Sequence, residues 1–288
     1  MDTDISHTIT LIVSCPDTTG IVAAVASYIA SHGGSLKESN HHTDVSENQF
    51  FMRNVISTQD MEISIEEFRK GFESIAQSFQ MTWYVRDSHQ KQKVVILASK
   101  SSHCLNDLLH RWKVAELDCQ ITCVISNHEN LRSMVEWHEI PFVYIPVPKD
   151  GKTEAFNEIS KVIAQQEADC IVLARYMQIL PPALCATYRG RVINIHHSFL
   201  PSFVGADPYQ KAYERGVKLI GATSHYVTED LDEGPIIEQD VIRISHSCTK
   251  QEMVRLGRDV ERSVLSRGLL YHLQDRVIIH GNKTVVFN

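Results

Sequence analysis

The chain has 288 residues, enough for two domains of ordinary size. Its 43% hydrophobic and 22% charged residues fit a globular protein, and a net charge of −7 argues against a nucleic-acid binder that works by neutralising phosphates. No run of about 18 apolar residues exists to span a membrane, and the start MDTDISHTIT lacks a secretory pattern. Seven cysteines without a C-x-x-C pair point to reduced thiols in a cytoplasmic protein.

In chain order, His7 to Ser14 is β-rich and ends at Cys15-Pro16-Asp17. Ile21, Val22, Val25, Ala26 and Ile29 then fall at helical spacing, and Gly33-Gly34 stops that helix. Strands are predicted at 35–43 and 49–57. Ile65, Phe68, Phe72, Ile75 and Phe79 form a second helical repeat before a short strand at 81–85. The order β-α-β-β-α-β is ferredoxin-like. The polar stretch SHQKQK at 88–93 reads as a linker, dividing the chain into domains over 1–87 and 94–288. Beyond it, strands at 94–99, 121–126, 142–145, 170–174 and 191–195 alternate with helices from about 104, 129 and 154. Short apolar strands alternating with helices imply an α/β domain with a mostly parallel sheet. A long helix is predicted over 250–273, then a closing hairpin.

In an open α/β sheet, ligands bind beyond the carboxyl ends of the strands. Three segments qualify: RVINI running into His196-His197-Ser198, the strand at 219–227 running into Thr228–Pro235, and CIVLA running into Arg175–Leu180. Asn194 and His196 flank Ile195, so in an extended segment both point to one face. An amide donor beside an imidazole can stabilise an oxyanion, and Asp232 can supply a carboxylate acting on water or an amine. Singly, each has a plainer reading: Asn194 and Asp232 as turn residues, His196-His197 as a solvated pair. His41-His42 and His196-His197 lack H-E-x-x-H or C-x-x-C spacing, so no metal is expected.

Together, INIHHSFLP, ATSHYVTEDLDEGPII and LARYMQIL resemble the folate-dependent formyltransferase family across the second domain. The resemblance implies a Rossmann-like domain. It places the family's catalytic set on Asn194, His196 and Asp232, and surrounds the folate with Arg175, Tyr176, Met177, Ile179, His197, His225, Val227 and Asp230. The backbone of 227–230 would meet the pterin edge. The family gives the formyl group of 10-formyltetrahydrofolate to an amine or to water. Two features favour water. Ser99–Leu105 has no glycine for a backbone phosphate cradle, and His197 stands where transferases often carry proline. The N-terminal unit, through its turn Pro16–Val22, resembles an ACT domain. An ACT domain joined to this second domain is similar to the water-using members, whose products, formate and tetrahydrofolate, serve one-carbon metabolism and purine biosynthesis. Transfer to an amine, or an amino-acid-binding regulator without catalysis, are the competing readings.

The mechanism so implied has Asp232 as general base on water, its pKa raised by a partly dry loop. Asn194 and His196 donate to the oxyanion, and N10 takes its proton from His196 or through a water. No cofactor is implied, the folate being the substrate. The ACT resemblance puts a regulatory amino acid, glycine or methionine, at Asp17, Thr19, Gly20 and Ile21 with Asn40. The plainer reading is that Asp17 or Thr19 caps the helix. Pairing of ACT domains implies a homo-oligomer, a tetramer.

Overall fold

The chain opens with β1 (Thr8–Pro16), α1 (Ile21–Ser31), β2 (Ser35–Asp44), β3 (Gln49–Ser57), α2 (Ile65–Ser78) and β4 (Thr82–Asp87). This is a computed structural model, and it describes residues 7–202 and 208–287. β1 pairs antiparallel with both β3 and β4, which gives an antiparallel sheet of order β2-β3-β1-β4. Its alternating Ile9, Leu11, Val13 and Cys15 face one side and bury against Ile21, Val25 and Ile29 of α1 and Phe68, Phe72 and Ala76 of α2. α2 begins with a capping box, in which Ser64 accepts from the Glu67 N–H and the Glu67 side chain accepts from the Ser64 N–H.

The other side of β1 and β3 needs a cover, and the end of the chain supplies it. Ile12 and Phe51 pack against Ile278 and Phe287, each buried side chain contributing roughly 1.5–3 kcal/mol. Arg86 Nε donates to both Asp275 oxygens at 2.8 and 2.6 Å, and Tyr84 Oη donates to the same carboxylate at 3.2 Å. Residues 275–278 and 285–287 therefore join the N-terminal compact unit, which runs to Lys91, whereas the expected boundary left them in the second domain.

The second unit, residues 92–274 with 279–284, contains β5 (Gln92–Ala98), α3 (His103–Lys113), β6 (Cys119–Ser126), a 3-10 turn at Glu129–Leu131, α4 (Arg132–Trp137), β7 (Phe142–Tyr144), α5 (Lys152–Gln165) and β8 (Cys170–Ala174). α6 (Pro182–Thr187), β9 (Val192–His196), α7 (Pro208–Arg215), β10 (Leu219–Tyr226), β11 (Ile236–Arg243) and α8 (Lys250–Leu273) follow. The last strands, β12 (Val277–His280) and β13 (Lys283–Val286), pair with each other. Gln92 and Lys93 of the predicted linker already belong to β5. α6, α7 and β11 were not predicted. α6 and α7 are too short to show a repeat, and the run of polar residues in β11 obscures its strand character.

The large sheet has order β11-β10-β9-β8-β5-β6-β7. β5 to β9 are parallel, while β10 pairs antiparallel with β9 and β11. Val95, Leu97, Ile171 and Leu173 pack with Ile159 and Ile163 of α5, and the alternate Val94 and Ile96 are equally buried. Both faces being covered explains the unbroken apolar runs. β6 and β7 extend the sheet to one side of β5, β8 and β9 to the other. This makes the β5/β8 crevice a topological switch point, where such sheets bind ligands. Among the described residues no helix is long and apolar enough to cross a membrane, and all seven cysteines are unpaired.

Candidate active site

β9 and β10 bring the polar groups together. Asn194 lies opposite His225 and His196 opposite Thr223 in the antiparallel pair, so the four share a face. The register with β11 slips by one residue between Ser224 and His225, an irregularity of the kind that re-aims a side chain. His225 Nδ1 donates to the Tyr226 carbonyl at 3.0 Å, which leaves Nε2 to accept from Asn194 Nδ2 at 3.1 Å. That chain fixes the Asn194 amide as a donor and leaves its second N–H without a partner among the described residues.

Asp232 arrives from the loop after β10. Its own φ is +58°, a left-handed conformation that costs a non-glycine residue free energy and is often found at functional sites. The loop is pinned two residues later. A Cβ on Gly234 would stand 1.8 Å from the Tyr226 carbonyl oxygen, so only glycine lets the chain pass there. Asp232 Oδ2 is 3.2 Å from His196 Nδ1, and Oδ1 is 3.8 Å from His225 Nε2. The His196 and Asp232 side chains are 6% and 9% exposed. His196 Nε2 is buried with no hydrogen-bond partner, a costly state unless a ligand supplies one.

The expected upward shift of the Asp232 pKa is not found. Burial is the largest single influence and pushes it up. The hydrogen bond from His196 and the charges of His196, His225 and His197 together outweigh it, holding the carboxyl below its usual value. Asp232 is thus ionised at neutral pH. Burial is the largest influence on His225 and drives its pKa down. His197 is pushed down to about 4, first by burial and then by the nearby Arg175 charge.

A cavity of about 360 Å³ adjoins these groups, within the usual range for small-molecule sites. Asn194, His196, His197, His225 and Asp232 line it together with the 175–180 and 227–231 segments. Met177 and Ile179 stand 58% and 70% exposed along it, apolar surface of the sort a flat ring covers. Tyr176 lines the cavity too but is packed in the core, its hydroxyl buried without a partner among the described residues. The Val227 N–H already donates to the Val192 carbonyl at 2.8 Å, and the Asp230 carbonyl accepts from Thr228 Oγ1. The expected backbone contacts of 227–230 to a ligand are therefore confined to the groups left over.

Sequence reasoning missed the supports behind the cleft. Ser99 Oγ donates to Asn127 Oδ1 at 2.7 Å and accepts from the Met177 N–H at 3.0 Å, tying β5 to the 175–180 loop. Thr223 Oγ1 accepts from the Leu200 N–H and donates to the Ser198 carbonyl, holding the turn after His197. Glu261 of α8 is fully buried beside Arg175, His103 and Tyr209. A charged residue within the buried stripe Met253, Gly257, Val260, Val264, Leu265 was the available signal.

In the N-terminal unit, Gly20 sits at φ +99° as the residue before α1, and no side chain caps that helix, so neither Asp17 nor Thr19 serves as its cap. Asp17, Thr19 and Gly20 are exposed and Ile21 is buried. Asn40 lies on β2 opposite Arg53, and no hydrogen bond joins it to residues 17–21. Two groups among the described residues bring metal-type donor atoms within 4.8 Å of one another: His7, Asp87 and His89, and His103, Cys104 and Glu261. Neither includes Asn194, His196 or Asp232.

A strand-end amide, an imidazole and an ionised carboxylate around one cleft make a site for acyl chemistry, and residues 92–269 match the formyl transferase family. A phosphoribosylglycinamide formyltransferase from Anaplasma phagocytophilum has the same fold over 69% of this chain and 96% of its own, at 28% identity and a TM-score of 0.63. The likeness to a second group runs the full length. A formyltetrahydrofolate deformylase of Bacillus subtilis is 48% identical over 96% of this chain and 93% of its own. The crystal structure of one from Pseudomonas syringae pv. tomato superposes with a TM-score of 0.98 at 57% identity, covering 100% of this chain and 96% of the other. The chain belongs to the formyltetrahydrofolate deformylase family.

Proposed function

We propose that the protein hydrolyses 10-formyltetrahydrofolate to formate and tetrahydrofolate, a hydrolysis of a linear amide C–N bond. The observation that carries this is the buried, ionised Asp232 beside His196 and the fixed Asn194 donor, in a chain related along its whole length to deformylases. Asp232 takes a proton from water as its oxygen attacks the formyl carbon. The second N–H of Asn194 and Nε2–H of His196 donate to the developing oxyanion. The C–N10 bond then breaks and N10 takes a proton, either from His196 or through a water. Met177 and Ile179 would cover one face of the pterin, with Arg175, Tyr176, His197, His225, Val227 and Asp230 completing the wall. The scheme calls for no cofactor and no metal.

Hydrolysis is favoured over transfer because the loop after β5 is turned inward: Ser99 is engaged by Asn127 and Met177, and His103 by Glu261. Lys100 and Ser102 stay open to solvent and Ser101 partly so, but the loop has no glycine for a backbone phosphate cradle. Incubation with 10-formyltetrahydrofolate and no amine tests the reading. Stoichiometric formate is expected; release only on adding an amine acceptor would replace it with transfer.

The N-terminal unit fits an ACT domain in its βαββαβ order and sheet order. Its regulatory amino acid, glycine or methionine, would bind where Gly20 frees the start of α1, with Asp17, Thr19, Ile21 and Asn40 around it. The protein is proposed to be a cytoplasmic homo-oligomer, a tetramer, supplying formate to one-carbon metabolism and purine synthesis. Isothermal titration of glycine and methionine, with light scattering for oligomer mass, checks both statements.

A further inference from the structure

The cleft contains a cation that the scheme above does not use in chemistry. Arg175 follows β8 at φ +61°, a conformation that favours glycine, so a long side chain is held there against backbone cost. That side chain is only 14% exposed, and its Nε lies 3.4 Å from Glu261 Oε2 without forming a hydrogen bond. No described residue accepts from either terminal nitrogen of the guanidinium. Arg175 nonetheless lines the same cleft as Asn194, His196 and Asp232, close enough to His197 for its charge to be felt there.

Glu261 is built to hold this arginine. It is 1% exposed, and each oxygen is otherwise committed: Oε2 to His103 Nε2 and Oε1 to Tyr209 Oη, both at 2.7 Å. Tyr209 can reach it only because Gly257, one turn earlier on α8, has no Cβ, which would lie 1.9 Å from the hydroxyl. The result is a guanidinium held by an ion pair to Glu261 whose outer edge, two donors in one plane, has no partner among the described residues. Such an edge matches a carboxylate.

We infer that Arg175 binds the formate product, with Glu261 as the positioning residue that aims its guanidinium. The inference rests on the deformylase reading for the source of the anion. In that reaction the water oxygen joins the formyl carbon, the C–N10 bond breaks, N10 gains a proton, and formic acid loses its proton to leave as formate. That anion forms beside the carboxylate of Asp232, which repels it, and Arg175 offers the compensating charge.

The test is product inhibition of 10-formyltetrahydrofolate hydrolysis by sodium formate at constant ionic strength, in wild type, Arg175→Met, Arg175→Lys and Glu261→Gln. The formate inhibition constant should rise about tenfold or more in Arg175→Met, the scale of losing a charge-assisted bond. It should rise less in Arg175→Lys, and severalfold in Glu261→Gln. A merely structural Glu261 would lower the melting temperature and leave that constant where it was. An unchanged constant in Arg175→Met overturns the inference. Should that variant fail to fold or turn over, line broadening of carbon-13 formate by wild type and Arg175→Lys decides. Weaker broadening by the lysine variant supports the site, and equal broadening overturns it. If wild type releases no formate from the folate, the deformylase reading fails, and the broadening still reports on Arg175 alone.

Discussion

Each unit buries a carboxylate, and the two fare differently. Asp275 in the N-terminal unit receives Arg86 and Tyr84, yet burial wins and its pKa is raised. Asp232 in the second unit is also taken from water, but His196, His225 and His197 surround it and its pKa falls. The balance between burial and partners sets the direction: at Asp275 burial outweighs Arg86 and Tyr84, whereas at Asp232 the histidines outweigh burial. Asp275 is a clamp that fixes the chain end on a sheet. Asp232, charged and open to a cleft, is fitted to accept a proton.

The sharpest way to break this contrast is Asp232→Asn, which should lower hydrolysis by about 10²–10⁴-fold with folding unchanged by circular dichroism, while Asp275→Asn should leave turnover near wild type. Comparable turnover in the two variants would remove the distinction. Next, Gly234→Ala forces the Asp232 loop off the Tyr226 carbonyl and should cost about 1–3 kcal/mol in urea unfolding along with a fall in kcat.

The pH signatures should have opposite signs. Asp275, raised, binds protons better folded than unfolded, so its contribution to stability falls as pH rises from about 4 through its folded pKa. Asp232, depressed, contributes stability above about 4 that is lost as pH falls through its folded pKa. His197, depressed to about 4, is neutral when folded, so stability rises with pH between that value and about 6.5. Hydrogen exchange of β1–β3 and β8–β10 amides across pH 4–7, corrected for intrinsic rates, reads the two units separately, and Asp275→Asn and His197→Asn should each flatten its own slope. The smallest effect expected is Ser64→Ala, which removes the α2 cap for about 1 kcal/mol, seen as a lower urea midpoint without loss of hydrolysis.

Much of the fold was legible because it is written in periodicity. β1, α1, β3 and α8 follow alternation or helical spacing over enough residues to be read directly. α6, α7 and β11 were not, because six to eight residues with mixed polarity carry too little pattern. Asn194 and His196 could be put on one face from Ile195 between them. Glu261, His103 and Tyr209 could not be joined: they lie on elements separated by as many as 158 residues, and each alone is an ordinary helix residue.

The sequence by itself determined the order of the longer strands and helices, the candidate triad and, through its motifs, the kind of chemistry to expect. Only the tertiary structure decided the charge state of Asp232, the donor orientation of Asn194 and the return of residues 275–278 and 285–287 to the N-terminal sheet. The physical reason is common to all three. A pKa, an amide orientation and the cover of an apolar face depend on which groups converge from distant parts of the chain, and convergence is a property of packing rather than of local order.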